Sequence, residues 1–254
     1  ANAAVNQASD TGVTPLYIAC KKGHLDIVRL LFEAGAAVGQ AMDGGYSPLS
    51  IACQNGHVDI VRLLLEASAA VNQARNTGAT PLFIACQEGR VEIVRLLLEA
   101  SAAINQARDN GATPLYVASL KGHDQCVRLL LEASVSINQA EESGVTPLFV
   151  ACQEGHVECV RLLRDAGAAI NQAMNGGTTP LFVACQEGHP ECVRLLLEAG
   201  AAIDQADEQG ATPLFAACQD GHLEVAKLLS SYGASRAATP FGTPEAIANR
   251  EGHA

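Results

Sequence analysis

Three ladders of side chains in this chain have the chemistry to do something. His24, His57, His123, His156, His189 and His222 share one register, with Arg90 filling the gap and His253 continuing the series. Imidazoles in a row suggest metal ligation or general-base work. Cys20, Cys53, Cys86, Cys152, Cys185 and Cys218 form a second ladder, suited to thiolate ligation or redox exchange. Arg29, Arg62, Arg95, Arg128, Arg161 and Arg194, followed by Lys227, form a third that would suit phosphate. The interval decides between these readings, because consecutive rungs are mostly 33 residues apart.

If each interval is one layer of packed helices, neighbouring rungs lie roughly 10 Å apart. Two such histidines cannot share an ion through bonds of about 2 Å, so they read as polar helix-start residues after a glycine turn. Cysteines at that spacing exceed the ~7 Å Cα separation a disulfide allows. Cys152 with Cys159, and Cys185 with Cys192, link the two helices of one repeat, a spacing at which a zinc or redox pair is the alternative to buried thiols. No C-x-x-C spacing exists, and free cysteine is a common small core residue, so buried reduced thiols are expected. The arginines are flanked by acids: Glu92, Arg95 and Glu99 stand at i, i+3 and i+7, as do Asp59, Arg62, Glu66 and Glu191, Arg194, Glu198. That is the spacing of ion pairs on a solvated helix face, not of a phosphate stripe. No P-loop, G-x-S-x-G or metalloprotease helix is present, so no catalytic residue, metal or cofactor is expected.

The elements that set this interval announce themselves. Thr14-Pro15-Leu16 returns as Ser47-Pro48-Leu49, Thr80-Pro81-Leu82, Thr113-Pro114-Leu115, Thr146-Pro147-Leu148, Thr179-Pro180-Leu181 and Thr212-Pro213-Leu214. A fixed period of this length means stacked units, each burying its apolar face against its neighbours. Within Arg75–Ala107, Asn76-Thr77-Gly78-Ala79 reads as a turn tip. Thr80 offers a hydroxyl N-cap, and Pro81 sits where its missing N–H is harmless. The spacing predicts a short helix over Pro81–Glu88, ended by Gly89 in a left-handed turn, and a longer one over Val91–Ala100. Pro190 marks the same helix start in the sixth unit. Units end at Gly35, Gly167, Gly200 and Gly233, but at Ser68, Ser101 and Ser134 in the middle three. A serine in the same left-handed turn costs on the order of 1 kcal/mol, so those repeats are expected to be softer.

Gly-x-Thr-Pro-Leu, then Ala, Gly-His, Ile/Val-Val-x-Leu-Leu-Leu, Gly-Ala and Asn resemble the ankyrin repeat over essentially the whole chain. The resemblance implies an all-α fold, an ankyrin-repeat solenoid of stacked antiparallel helix pairs with projecting β-hairpin loops, and a concave surface that binds proteins. One domain over 1–254 is expected, with repeats 9–41, 42–74, 75–107, 108–140, 141–173, 174–206 and 207–239. Residues 240–254 form a partial repeat and 1–8 the tail of a preceding one, so the chain is expected to be cut from a longer protein. The family usually places His after Thr-Pro-Leu to bridge repeats; here Tyr17, Ser50, Phe83, Tyr116, Phe149, Phe182 and Phe215 stand there. Aromatic and thiol packing is therefore expected to replace the polar bridge. The connector Asn72, Asn105, Asn138 and Asn171 match a position that the family can carry hydroxylated, but lack the acidic residue usual two before.

The chain is 48% hydrophobic yet 4% aromatic with no Trp, so Ala, Val, Ile and Leu must pack the core. A formal charge of -11 disfavours nucleic acid and acidic membranes and favours a basic partner. No apolar run reaches the ~18 residues of a membrane span. Nine cysteines, an odd number, and no N-x-Ser/Thr sequon suit a reducing, cytoplasmic setting, the nucleus included. A monomer is expected.

In a repeat array the informative residues are those that vary. They fall at short-helix ends (Lys21, Lys22, Gln54, Asn55, Gln87, Glu88, Leu120, Lys121, Glu154, Glu187) and hairpin tips (Tyr46, Asn76, Asp109, Asn110, Glu142). Tyr46 is read as the only bulky aromatic at a tip and as the anchor. The expected function is a protein-interaction scaffold holding an extended, basic segment, Tyr46 at one end and Glu154 and Glu187 at the other. The alternative is a regulatory or inhibitory module using the same surface on an enzyme or transcription factor.

Overall fold

The computed structural model describes residues 4–252, so the reading of His253 falls outside the described residues. Fifteen α-helices occur among them. Short helices open at a recurrent proline: α1 (Pro15–Lys22), α3 (Pro48–Asn55), α5 (Pro81–Gln87), α7 (Pro114–Leu120), α9 (Pro147–Gln153), α11 (Pro180–Gln186) and α13 (Pro213–Gln219). Each is followed by a nine-residue helix: α2 (Leu25–Glu33), α4 (Val58–Glu66), α6 (Val91–Glu99), α8 (Asp124–Glu132), α10 (Val157–Asp165), α12 (Pro190–Glu198) and α14 (Leu223–Ser231). A last short helix, α15 (Pro244–Arg250), follows a hairpin bridged between Thr239 and Gly242.

Local chemistry starts and stops each helix. The hydroxyl of Thr80 accepts from the Phe83 N–H at 3.2 Å, Thr146 from Phe149 at 3.1 Å and Ser47 from Ser50 at 3.1 Å. Each satisfies one of the donors a helix start leaves open. The long helices end in a left-handed residue, and Ser68, Ser101 and Ser134 adopt it at φ 61, 62 and 61°. Serine thus enters the backbone region that glycine occupies in the other repeats, with the strain that entails.

The chain divides into two compact units, one running through Ala118 with Glu132–Val135, the other comprising Ser119–Leu131 and Ser136 onward. In the first, α1, α3 and α5 pack in sequence, each against its own long partner. In the second, α9, α11 and α13 do the same, and α15 packs against α13. The core of the first holds Leu49, Ile60, Leu64, Leu82, Ile93 and Leu97; that of the second holds Leu148, Val160, Leu163, Leu181 and Leu196. Burial depends on the preceding repeat. Ile27 is 47% exposed at the start of the first unit, whereas its counterparts Ile60 and Ile93 are 2% and 1% exposed.

The aromatic side chains after Thr-Pro-Leu, Tyr17, Phe83, Phe149, Phe182 and Phe215, are buried, and polar bridges between repeats are made at other positions. In the Gly-His pair, the ring Nε2–H donates to a carbonyl in the preceding short helix: His57 to Lys21 at 3.3 Å, His156 to Leu120 at 3.1 Å, His189 to Gln153 at 2.9 Å and His222 to Gln186 at 2.8 Å. Arg90 reaches the Gln54 carbonyl in the same way, through Nε at 3.4 Å and Nη2 at 3.3 Å. These donors satisfy carbonyls that a helix end leaves open. The ring lies against the glycine of the preceding repeat, and a Cβ on Gly155, itself at φ 71°, would stand 2.6 Å from His189. The connector asparagines add a second bridge. Asn72 Oδ1 accepts from Ala103 N at 2.8 Å, and Asn138 and Asn171 accept from Ala169 and Ala202 at 2.9 Å.

Candidate interaction surface

Hairpin tips within each unit are also linked. Asp43 N–H donates to Thr11 O at 3.0 Å, Asn76 to Gly44 at 3.0 Å and Asp109 to Thr77 at 3.2 Å. In the second unit Asn175 donates to Ser143 at 2.9 Å and Glu208 to Gly176 at 3.0 Å. The tips are therefore an ordered row whose backbone donors face the neighbouring tip, leaving the side chains for recognition.

On the first unit, Lys21 and Lys22 are exposed at the end of α1, and Asn55, Asn76, Asp109 and Asn110 are exposed too. Part of this set is already engaged. Asn55 Nδ2 donates to Ile51 O at 2.9 Å, and Gln87 Nε2 to Glu88 Oε1 at 3.0 Å, both of the latter pair half-buried. Asn110 Oδ1 accepts from Ala112 N at 3.3 Å. On the second unit, Lys121, Glu142, Glu154 and Glu187 are exposed, while Leu120 is half-buried under the His156 bridge.

Tyr46 has a different setting from the exposed one its position suggests. It is half-buried, and the Arg75 guanidinium lies 4.1 Å above its ring centroid. Arg75 Nη2 donates to Gln54 Oε1 at 2.7 Å, so tip, connector and short helix are tied together. Arg108 repeats the stack one unit on, 5.3 Å from the centroid of Phe83. Arg75 and Arg108 escaped the sequence reading because each sits before a tip, not at it. The available signal was a break in register: the position reads Ser9, Met42, Arg75, Arg108, Glu141, Met174 and Asp207.

The two arginines line a cavity of about 290 Å³ with Gly44, Tyr46, Asn76, Thr77, Ala79, Ile84 and Gln87. The Nε atoms of both are buried with no hydrogen-bond partner. A buried donor left unpaired costs about 1–3 kcal/mol. Burial pulls Arg75 below the usual arginine range, partly offset by Tyr46, Tyr17 and Glu88.

The second unit carries a larger cavity, about 400 Å³, with Phe182, Phe215 and Phe241 on its wall and Asp207, Asp220 and Arg250 among its polar groups. Phe241, 44% exposed, packs its ring 5.4 Å from Phe215. It lies in the last hairpin, so Tyr46 is not the single aromatic on a hairpin. The shorter spacing from Thr212 to Thr243 hid it, since the register used for the other tips does not reach it.

The remaining ladders take structural places. Arg29 pairs with Asp26 at 3.7 Å, Arg95 with Glu92 at 3.6 Å, Arg161 with Glu158 at 3.5 Å and Arg194 with Glu191 at 3.4 Å, all about half-exposed or more. Glu198, expected to flank Arg194, lies instead 3.9 Å from Arg164 of the preceding repeat. The nine cysteines are free, eight of them buried. Burial is the main cause that raises Cys152 and Cys159, with smaller contributions from Cys192 and Cys185 on the first and from Asp124, Glu158, Cys126 and Cys192 on the second. Burial pushes Cys20 and Cys159 up to about 12, and Cys126 and Cys192 up to about 11. Among the described residues no group of three or more His, Cys, Asp or Glu side chains is placed to hold a metal, and no helix is long and apolar enough to cross a membrane.

The chain's relatives have the same architecture. Family models described as ankyrin repeats match residues 37–108, 69–140, 100–174 and 167–239, and a further one matches 2–51. Comparison with curated proteins finds no significant match. Among matching solved structures is the human ASB11 ankyrin repeat domain, 32% identical, with a TM-score of 0.81 over 89% of this chain and 100% of that one. Helix pairs at a constant interval, linked by hairpins and matched by these models over most of its length, place the chain in the ankyrin-repeat family.

Proposed function

We propose that this chain is a non-catalytic interaction module that holds an extended partner polypeptide along its hairpin tips and short-helix ends. Ankyrin repeats are generally protein-interaction modules. The observation that supports the surface is the division of labour between positions. Caps, glycine turns and inter-repeat bridges recur from unit to unit, whereas the exposed tips and short-helix ends change identity. On the second unit, Glu142, Glu154 and Glu187 are exposed and acidic, which suits a basic stretch of partner. On the first unit, Tyr46 anchors the segment with the arginine stacked upon it. An odd number of cysteines, nine, with eight of them buried, favours a reducing, intracellular setting for this work.

The test uses a peptide selected on the intact domain from a displayed random library, with affinities measured for the parent, Tyr46→Ala and Glu187→Lys. Weakening by about tenfold or more in each variant is the expected result, equivalent to about 1.4 kcal/mol. Selected peptides that bind both variants as tightly as the parent would remove this surface from consideration.

A further inference from the structure

Resting on that reading, we infer that the cavity between Arg75 and Arg108 is a carboxylate-binding site, filled by an aspartate or glutamate side chain of the partner segment. In three other repeats this position has a job that arginine cannot do. Ser9 Oγ accepts from Val13 N at 3.2 Å, Glu141 Oε1 from Ser143 N at 3.0 Å and Val145 N at 3.1 Å, and Asp207 Oδ1 from Gln209 N and Ala211 N at 2.9 Å. All three close their own hairpin by accepting backbone N–H groups. A guanidinium is a donor only, so Arg75 and Arg108 leave that role empty. Their hairpins close without it, since Arg75 N bonds Ala79 O and Arg108 N bonds Ala112 O, each at 2.9 Å.

What the arginines supply is a preorganised donor pair. Each planar group is laid over an aromatic ring, at 4.1 Å for Arg75 and 5.3 Å for Arg108. Stacking fixes the plane of the guanidinium, whose fork of donors matches a planar, two-oxygen acceptor. Gln54 holds Arg75 in place through one Nη2 bond, and both Nε atoms lack an acceptor. The cavity of about 290 Å³ has room for one short acidic side chain. The half-buried Glu88, whose charge acts on Arg75, repels a doubly charged phosphate more than a singly charged carboxylate. The first unit is thereby assigned an acidic residue in the partner, in contrast to the basic stretch that suits the second.

The direct experiment follows the arginine Nε–H resonances by NMR while N-acetyl-glutamate methylamide is added, with the glutamine analogue and inorganic phosphate as separate arms. The expected result is saturable movement of the Arg75 and Arg108 signals with the glutamate probe, none with glutamine, and weaker binding of phosphate. Arg75→Lys and Arg108→Lys, which keep charge but lose the fork, should each weaken the glutamate probe at least fivefold. Equal response to glutamate and glutamine, no saturable response, tighter binding of phosphate, or affinity unchanged in both lysine variants would overturn the assignment. The comparison of probes needs only the parent protein, so it stands even where a variant folds poorly. Its failure would leave the library-peptide result untouched, which separates it from failure of the interaction surface itself.

Discussion

Single positions carry the sharpest consequences, because the repeats act as controls for one another. Ser119 occupies a place held by cysteine in the other six full repeats, and its hydroxyl is buried without a partner. Ser119→Cys is expected to raise stability by about 1–2 kcal/mol by removing an unsatisfied group, read as a higher urea midpoint. Ser101 sits at φ 62°, exposed, where other repeats have glycine. Ser101→Gly is therefore expected to stabilise by about 0.5–1 kcal/mol, the reverse of the usual effect of adding glycine. A neutral or destabilising outcome in a urea titration would mean that the turn is not strained. The serine turn was legible in the sequence from its alignment with Gly35 and Gly167. The setting of Tyr46 was not, because a cation from the following repeat covers its ring and nothing local encodes that contact.

At the scale of helices, what one repeat contributes depends on the repeat before it. Ile27 and Ile93 occupy the same register, but the first is 47% exposed and the second 1%. Ile93→Ala is expected to cost about 2–5 kcal/mol through a buried cavity, and Ile27→Ala less than about 1 kcal/mol. Similar losses in thermal melts of the two variants would contradict neighbour-dependent burial. Helix limits, caps and turns were readable because they rest on contacts within four residues, as with Thr80 and Phe83. The bridges were less readable: His189 reaches back 36 residues to Gln153, and only the period hints that the two meet. The arginine cavity was least readable, since it joins residues of three successive hairpins whose individual identities look unremarkable.

For the molecule as a whole, the cysteines link stability to pH. The unfolded thiol ionises near about 8.5, while burial holds Cys20 and Cys159 at about 12 and Cys126 and Cys192 at about 11. Above about pH 8.5 the unfolded chain loses protons that the folded chain retains, so stability falls as pH rises. The unfolding free energy from urea titrations is expected to be flat with respect to these thiols below that value and to drop steadily towards about pH 10.5, by up to about 1.4 kcal/mol per pH unit for each thiol. A flat profile over that alkaline range would mean that the thiols are not held protonated by burial. The function of the molecule turns, however, on where a partner lies. Hydrogen exchange on the domain, free and with a library-selected peptide bound, measures that most directly. Slowed exchange confined to the tips around Asn76 and Asp109 and to the ends of α5, α9 and α11 is the predicted result. Slowed exchange on the solvent face of the long helices, around Arg95 and Arg161, with the tips unchanged, would contradict it.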